Sequence, residues 1–226
     1  MKRLKADLHT HCADDPKDVL GYSAEALIDA AAQLKYDVLA IACHERVVAG
    51  DRLTRYAGQR GIVLIPAVEH LVEGKHVLVL NPSDKHLHAR TFGELRRARE
   101  NQSAVIAPHP YFHTSVCLGA ALRKHIDVFD AIEYSSFYFR WLNLNRKAVR
   151  VAEEHGLPVI GTSDAHRLYS DDTFTWIDAE PAAEAVIEAV RAGRVELSSK
   201  PQALSRVAWM AAFSGRDAIR RLLHRG

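Results

Sequence analysis

The feature that most constrains the fold is a regular alternation of short apolar runs with longer amphipathic segments. Residues 38–42 (VLAIA) and 62–68 (IVLIPAV) have the compact apolar character of buried strands, whereas residues 23–34 (SAEALIDAAAQL) have helical spacing behind a candidate cap at Ser23. Strands that alternate with helices predict an α/β domain with a largely parallel sheet. No GxGxxG or GxxxxGKS/T motif follows a strand, so the nucleotide-loop folds lose support.

The predicted strands number seven, which suits a small barrel better than an open doubly wound sheet. They are residues 4–8, 38–42, 62–68, 76–80, 104–107, 131–134 and 158–161. We therefore predict an α/β fold, an irregular seven-stranded (β/α)7 barrel similar to a TIM barrel, over residues 1–199, with a final helix and short strand within residues 180–197. Residues 200–226 mix apolar and basic side chains, and we expect a helical tail packed on the barrel; a helix that binds a membrane surface or a partner is the alternative.

The composition excludes several classes of protein. A 226-residue chain with 48% hydrophobic residues can bury a sizeable core, and a net charge of +2 gives no excess that would attract nucleic acid or a membrane. The three cysteines are widely spaced and form no CxxC pair, which argues against a disulfide framework or a thiolate zinc site. No secretory signal and no apolar run of membrane-spanning length are present, so we expect a cytoplasmic protein without a transmembrane segment.

Histidine is the outlier of the composition, with 13 residues, and several of these fall where a strand is predicted to end. His9 and His11 close the first strand two residues apart, so in an extended chain both point to one face and can hold one ion. Asp164 and His166 repeat this spacing after the seventh strand. The intervening strands end at further ligand types: His44, Glu69 and His109.

His76 stands at the start of its predicted strand rather than at the end. Glu73-Gly74 before it is a good turn, and an antiparallel hairpin there would bring His76 to the same rim as Glu69. Any one of these residues is most simply a core or surface side chain, and a single HxH pair arises by chance in a histidine-rich chain. The joint pattern indicates a metal site at the mouth of the barrel, where barrel enzymes keep their chemistry.

At this level of detail the sequence resembles the polymerase and histidinol phosphatase (PHP) superfamily over residues 3–170. The resemblance rests on an ordered set of motifs: DLHTH at 7–11, CHE at 43–45, AVE at 67–69 with HVLVLN at 76–81, APHP at 107–110 and GTSDAH at 161–166. Glu133-Tyr134 also matches the usual approach to the final motif. Cys43 departs from the pattern, since the family usually has Asp there; that Asp is expected to orient a ligand, and sulfur in its place favours zinc.

The resemblance implies a barrel that holds two or three divalent ions, whose metals are zinc, manganese or iron, with magnesium possible. The first ion would be held by His9, His11, Glu69 and Asp164. The second would be held by His44, His166 and an acidic residue of the loop after the first motif; Asp14, Asp15 and Asp18 are all candidates, and Asp15 agrees best with the spacing. Glu69 would bridge to a third ion held by His76 and His109.

These residues lead to the hypothesis of a metal-dependent phosphoesterase. A metal-activated hydroxide would hydrolyse a small phosphomonoester or a nucleotide phosphate, with Glu69, Asp164, His109 and His166 as the catalytic group. Three arginines follow strand ends or motifs and are candidates to bind the substrate phosphate: Arg46, Arg140 and Arg167. The near-neutral charge disfavours long nucleic acid as a partner, because such binding depends on neutralising many phosphates.

Two other classes stay open at this stage. Amidohydrolases also place HxH on a first barrel strand and cleave C–N or lactone bonds, but they commonly carry a carboxylated lysine at the end of a middle strand, and here Lys75 lies in a turn. A non-catalytic barrel that serves as a binding module is the third class, and only Cys43 supports it. The sequence leaves the oligomeric state open.

Overall fold

The computed structural model describes residues 1–166 and 171–202, in which strands and helices alternate as predicted. The strands are β1 (Lys2–Thr10), β2 (Val38–Ile41), β3 (Val63–Val72), β4 (Lys75–Leu80), β5 (Ala104–Ala107), β6 (Ala131–Ser135), β7 (Val159–Thr162), β8 (Thr173–Ala179) and β9 (Val195–Ser199). The helices are α1 (Ala24–Gln33), α2 (Asp51–Gly58), α3 (Asp84–His88), α4 (Phe92–Ala98), α5 (Ala121–Lys124), α6 (Asn145–His155) and α7 (Ala183–Arg191), with a 3₁₀ turn at Ile126–Val128. The predicted tail falls mostly on residues 203–226, outside the described residues, so the tail and the domain boundary at residue 200 stay predictions.

All of these strands belong to one sheet with the order β7-β6-β5-β4-β3-β2-β1-β8-β9. The predicted strand number is wrong: the described residues form nine strands rather than seven. β8 is the strand that the sequence conceals, because it reads TFTWIDA and alternates buried and accessible side chains instead of forming an apolar run. β9 agrees with the short strand predicted near the end of residues 180–197.

The sheet curls into a nearly closed barrel. At the upper end, the amide of His11 donates to the carbonyl of Ala165 at 3.2 Å, which joins the end of β1 to the chain just after β7. Lower down, the Thr175 hydroxyl of β8 accepts from the amide of Gly161 and donates to its carbonyl, both at 2.8 Å. A Cβ on Gly161 would lie 2.7 Å from the carbonyl oxygen of Phe174, so this approach of β7 to β8 requires glycine.

The hairpin between β3 and β4 forms as the sequence predicts. Glu73 and Gly74 have φ values of 48° and 74°, which are typical of the two-residue turn that suits the twist of an antiparallel pair. Leu71 pairs with His76 in that register. His76 therefore lies at the same rim as the carboxyl end of β3.

The apolar core fills the barrel below this rim. Leu4, Ile65, Leu78 and Ile106 are all buried there, and they belong to one cluster with the inner face of α7. Arg191 at the end of α7 donates to the carbonyl of Glu100, in the turn before β5, which places the helix at the amino end of the strands. The barrel is thus closed at that end, and polar chemistry is left to the opposite end.

The other helices cover the outside of the sheet. α1 begins after Ser23, whose hydroxyl accepts a hydrogen bond from the amide of Ala26, as predicted. Its buried face packs on β2 with α2, whereas α4, α5 and α6 cover β4 to β6. Among the described residues, no helix is long and apolar enough to cross a membrane.

Candidate metal centre

The candidate ligands predicted from the sequence converge on the carboxylate of Glu69 at the open end of the barrel. This side chain is 1% exposed. Its Oε1 lies 2.7 Å from His76 Nδ1 and 3.0 Å from His109 Nε2, and its Oε2 lies 3.0 Å from His44 Nε2. The Nε2 atoms of both histidines in DLHTH lie 3.7 Å from the same Oε2. One buried carboxylate therefore touches or approaches five imidazoles.

His9 at the end of β1 and His11 just after it face each other through their Nε2 atoms. His9 Nδ1 lies 2.7 Å from Glu133 Oε2, and His11 Nδ1 lies 2.8 Å from Asp15 Oδ2. An ionised carboxylate can only accept, so each Nδ1 carries a proton, and in a neutral ring Nε2 is then the nitrogen left to bind an ion. These two Nε2 atoms are 3.2 Å apart, with Asp164 Oδ1 3.6 and 3.4 Å away. Converging lone pairs at this spacing are the donor set of a cation site.

A β-bulge brings His9 to this position. β1 is in register with β2 at Asp7–Leu39, but the next pair is Thr10–Ile41, so β1 carries one extra residue between them. Leu4, Ala6 and Leu8 point into the apolar core. Strict alternation would turn His9 away from the core with Asp7, and the bulge turns it inward instead.

The loop after β1 supplies the outer part of the site. Asp15 Oδ2 accepts hydrogen bonds from the amide of His44 at 2.8 Å and from its Nδ1 at 2.9 Å, and Asp15 Oδ1 accepts from the amides of Lys17 and Asp18. Asp18 Oδ2 lies 3.0 Å from His166 Nε2. The side chains of Asp18 and His166 are 27% and 36% exposed, so the site opens to solvent here.

Two of the candidate ligands have backbone conformations that non-glycine residues rarely adopt. His109 has a φ of 27° and Asp164 has a φ of 47°. The amide of His109 donates to Glu133 Oε1 at 3.1 Å, which helps to hold this geometry. Strain of this kind persists where surrounding contacts fix it, and it clusters at functional sites.

The electrostatics of the centre are those of closely packed opposite charges. Burial by itself would lower the pKa of His9, but the carboxylates of Glu133, Asp164 and Glu69 overcome it and hold this pKa well above the usual range. Burial would raise the pKa of Glu69, but the surrounding imidazoles, His9 foremost, hold it well below the usual range.

The donor chemistry suits divalent cations. Within the described residues, three groups have ligand atoms within 4.8 Å of one another: His11, Asp15, Asp18 and His44; His9, His11 and Asp164; His44, Glu69 and His76. Asp164 Oδ1 is a buried polar atom without a hydrogen-bond partner. Such orphaned acceptors are rare in protein interiors, and a coordinated ion would satisfy this one.

Three side chains were not singled out as site residues from the sequence. Glu133 is fully buried and supports both His9 and His109; its signals in the sequence were a charge within the buried strand AIEYS and the match of Glu133-Tyr134 to the approach to the final motif. Cys117 Sγ lies 3.3 Å from His109 Nδ1. Asp7 accepts from the amides of His9 and Ser163, and burial raises the pKa of Asp7 to about 6.

The three predicted phosphate-binding arginines have different outcomes. Arg46 donates to the carbonyl of Asp14 at 2.9 Å and lines a cavity of about 380 Å³ beside the loop after β1. Arg140 is exposed in the loop after β6. Arg167 lies outside the described residues. The roles of all three stay predictions.

Comparison with known proteins identifies the fold that carries these candidate ligands. A family model described as PHP-associated matches residues 143–195, and no curated protein sequence matches the chain. The chain is similar to a two-domain protein from Bacteroides vulgatus that contains a PHP-like metal-dependent phosphoesterase, with 20% identity and a TM-score of 0.66, over 88% of this chain and 65% of that one. The fold is that of the PHP superfamily.

Two further solved structures are similar in fold to this chain. PsfC from Pseudomonas syringae is 19% identical with a TM-score of 0.67, over 96% of this chain and 100% of that one. The lesion-specific endonuclease PfuEndoQ from Pyrococcus furiosus is 12% identical with a TM-score of 0.61, over 87% of this chain and 58% of that one. This chain therefore spans less than two thirds of the length of the Bacteroides and Pyrococcus proteins.

These findings confirm the resemblance to the PHP superfamily that the motifs indicate. The relatives named as metal-dependent phosphoesterases agree with the predicted enzyme class, and the clusters of histidine and acidic residues agree with divalent metals. The roles of individual residues and the metal identity stay predictions. The expectation that long nucleic acid is not a partner gains no support, since one protein of similar fold is an endonuclease.

Proposed function

We propose that this chain is a metal-dependent phosphoesterase that hydrolyses a small phosphomonoester or a nucleotide phosphate. The observation that carries the proposal is the convergence of imidazole lone pairs and carboxylates on Glu69 at the open end of a PHP barrel. Bound divalent ions would supply charge to neutralise the phosphate oxygens and would lower the pKa of water at the site. The protein contributes the positions of the donors and the dry wall behind them.

The inner ion would be held by His9, His11 and Asp164, with Glu69 at its edge. A second ion would lie between His44, His166 and the loop after β1, and a third between Glu69, His76 and His109. The mixed nitrogen and oxygen donors suit zinc, manganese or iron and do not choose among them; magnesium, which prefers oxygen, is the weakest candidate.

The geometry favours Asp18 over Asp15 as the acidic ligand of the second ion. Asp15 already accepts hydrogen bonds on both carboxylate oxygens, and it fixes the Nδ1 protons of His11 and His44. Asp18 presents its Oδ2 to His166 and is more accessible. We assign Asp15 the orientation of the two imidazoles and Asp18 the contact with the ion.

The substrate would approach from the side of the loop after β1, where the site opens. Arg46 lies on this side, beside a cavity of about 380 Å³ that can take the leaving group of a small ester. The net charge of +2 lacks the positive excess that long nucleic acid needs. A small phosphorylated substrate is therefore preferred to a duplex.

The test combines metal analysis with a substrate screen. Purified protein would be analysed for its elements and then supplied with zinc, manganese, iron or magnesium. Each form would be offered phosphomonoesters, nucleotides, diesters and an abasic duplex DNA. Phosphate release from a monoester or nucleotide, dependent on one of these metals, is the expected result. Cleavage of the duplex alone, or no hydrolysis with any metal, would contradict the proposal.

The amidohydrolase alternative gains no support from the site. Lys75, the lysine nearest the rim in sequence, directs its Nζ to the carbonyl of Ser115 at 2.7 Å on the surface. None of the three ligand groups found among the described residues includes a lysine. The position expected for a carboxylated lysine at the end of a middle strand is occupied by Glu69.

A further inference from the structure

Two of the three cysteines lie in contact directly beneath the candidate metal centre. Cys12 follows His11 and Cys43 precedes His44 in the sequence. Their Sγ atoms are 3.7 Å apart, and both residues are fully buried. Neither thiol belongs to a ligand group found in the described part of the chain. The proposed ion sites do not use these two thiols, so the thiols can react with each other. Each cysteine is nevertheless the immediate sequence neighbour of a proposed metal ligand.

The strand pairing explains why the thiols meet. β1 and β2 are parallel neighbours, and the amide of Ala42 donates to the carbonyl of Thr10 at 2.7 Å just before the two cysteines. Cys43 Sγ also points toward the carbonyl of Cys12 at 4.0 Å. The two side chains thus face each other across adjacent chains, with their sulfurs already in van der Waals contact.

We propose that Cys12 and Cys43 form a reversible disulfide on exposure to a hydroperoxide, and that this disulfide weakens metal binding in the adjacent centre. The second part rests on the proposed function, since it assumes that His11 and His44 bind the ions. The first part depends only on the two thiols.

The chemistry balances with one molecule of peroxide. The Cys12 sulfur attacks one peroxide oxygen and becomes a sulfenic acid, while the O–O bond breaks and the other oxygen takes up the thiol proton and leaves as water, or as an alcohol when the oxidant is an organic hydroperoxide. The Cys43 sulfur then attacks the Cys12 sulfur, and the hydroxyl leaves as a second water. Two thiols are oxidised by two electrons, and the peroxide is reduced by the same two. A dithiol reductant reverses the step by exchange.

The coupling to the metal follows from what the backbone of Cys12 supports. The sulfurs must close from 3.7 Å to about 2.05 Å, which draws the ends of β1 and β2 together. The amide of Asp15 donates to the carbonyl of Cys12 at 3.0 Å, and the Asp15 carboxylate orients both His11 and His44. Contraction at the thiols therefore displaces both imidazoles. By linkage, bound ions must oppose oxidation to the same degree.

The third cysteine provides a matched control within the same protein. Cys117 is also buried near the centre, but its Sγ contacts His109 Nδ1 and Thr114 Oγ1 rather than another thiol. It supplies no partner for Cys12 or Cys43. A Cys117→Ser protein should form the disulfide as the wild type does, whereas Cys12→Ser and Cys43→Ser proteins should not.

The experiment treats the reduced full chain, metal-free and zinc-loaded, with hydrogen peroxide. Peptide mapping by mass spectrometry identifies the disulfide, and competition with a chelator measures zinc affinity before and after oxidation. We expect a Cys12–Cys43 bond, a smaller disulfide fraction at equilibrium in a dithiothreitol redox buffer when zinc is bound, and zinc affinity reduced by roughly 5- to 150-fold, the usual range for coupled sites. Dithiothreitol should restore the affinity.

Each outcome decides one part of the inference. Recovery of only sulfinic acids, or of a bond that involves Cys117, would overturn the disulfide assignment and leave the proposed function intact. A mapped Cys12–Cys43 bond with unchanged zinc affinity would overturn the coupling. A chain that binds no metal before oxidation would contradict the proposed function, while the mapping in the metal-free protein still tests the disulfide.

Discussion

The inner and outer sides of the candidate metal centre use the same residue types in different surroundings. On the inner side, His9, Glu69 and Glu133 are at most 1% exposed, and the Glu133 carboxylate fixes the orientation of the His9 ring. On the outer side, the side chains of Asp18 and His166 are 27% and 36% exposed. Water can replace a lost contact on the outer side but not on the inner one. The same substitution should therefore cost far more on the inner side.

The largest effect is expected from Glu69→Gln. The amide keeps the shape but removes the charge that opposes the imidazoles and joins the proposed ion sites. We expect metal content to fall to background and hydrolysis to be lost together. Elemental analysis and a phosphate-release assay on the same preparation measure both. Near-normal turnover by this variant would show that the inner side of the centre is not required for hydrolysis.

A smaller loss is expected from Glu133→Gln, because this residue acts through His9. The amide no longer dictates which ring nitrogen of His9 carries the proton, so its Nε2 lone pair is less available. Metal affinity should fall by about 10- to 100-fold, as for other partners that orient a ligating histidine. Glu153→Gln on the exposed face of α6 is the matched control and should leave affinity unchanged. Equal metal affinities for the two variants would show that Glu133 does not support metal binding on the inner side.

The outer side is probed by Asp18→Asn and Asp15→Asn. Asp18→Asn should weaken one metal site with little change in the free energy of unfolding, since its carboxylate is partly exposed. Asp15→Asn should lower the unfolding free energy of the metal-free protein by about 1–3 kcal/mol, because buried donors lose their acceptor. Metal titration and urea unfolding separate the two, with Asp178→Asn on the exposed face of β8 as the control. The reverse assignment would follow if Asp18→Asn destabilised the fold and Asp15→Asn did not.

The smallest effect is expected from Arg46→Ala at the edge of the outer side. Loss of one charge-assisted hydrogen bond to the substrate phosphate should raise KM about tenfold with little change in kcat. Steady-state kinetics on a monoester measures the split between the two constants. Arg3→Ala, at the opposite end of the barrel beside Glu196, is the control. A fall in kcat at constant KM would exclude a simple binding role.

Much of the fold could be predicted because strand and helix patterns are local. The apolar runs that form β2 and β5 could be recognised as buried strands from the sequence, and Glu73-Gly74 could be recognised as the turn of a hairpin. β8 could not, because one of its faces is only partly buried and its threonines interrupt the apolar pattern. Whether such a segment pairs with β1 depends on the neighbour that covers it.

The candidate site divides in the same way. His9, His11, Glu69 and Asp164 were legible because ligand types recur at strand ends. Glu133 could not be assigned a role in this way, because the function of a carboxylate within a strand depends on which imidazole it contacts across the barrel. The choice between Asp15 and Asp18 also needed the structure, since both lie in one short loop and only their hydrogen-bond partners distinguish them.

The sequence by itself determined the kind of barrel, the family resemblance and the ligand types at its mouth, because residue identity and strand periodicity are local properties. The tertiary structure decided which way His9 points, which acid orients and which faces solvent, and that Cys12 meets Cys43. A one-residue bulge and the pairing of strands separated in sequence set these features, and their cause is the packing of distant segments against one another.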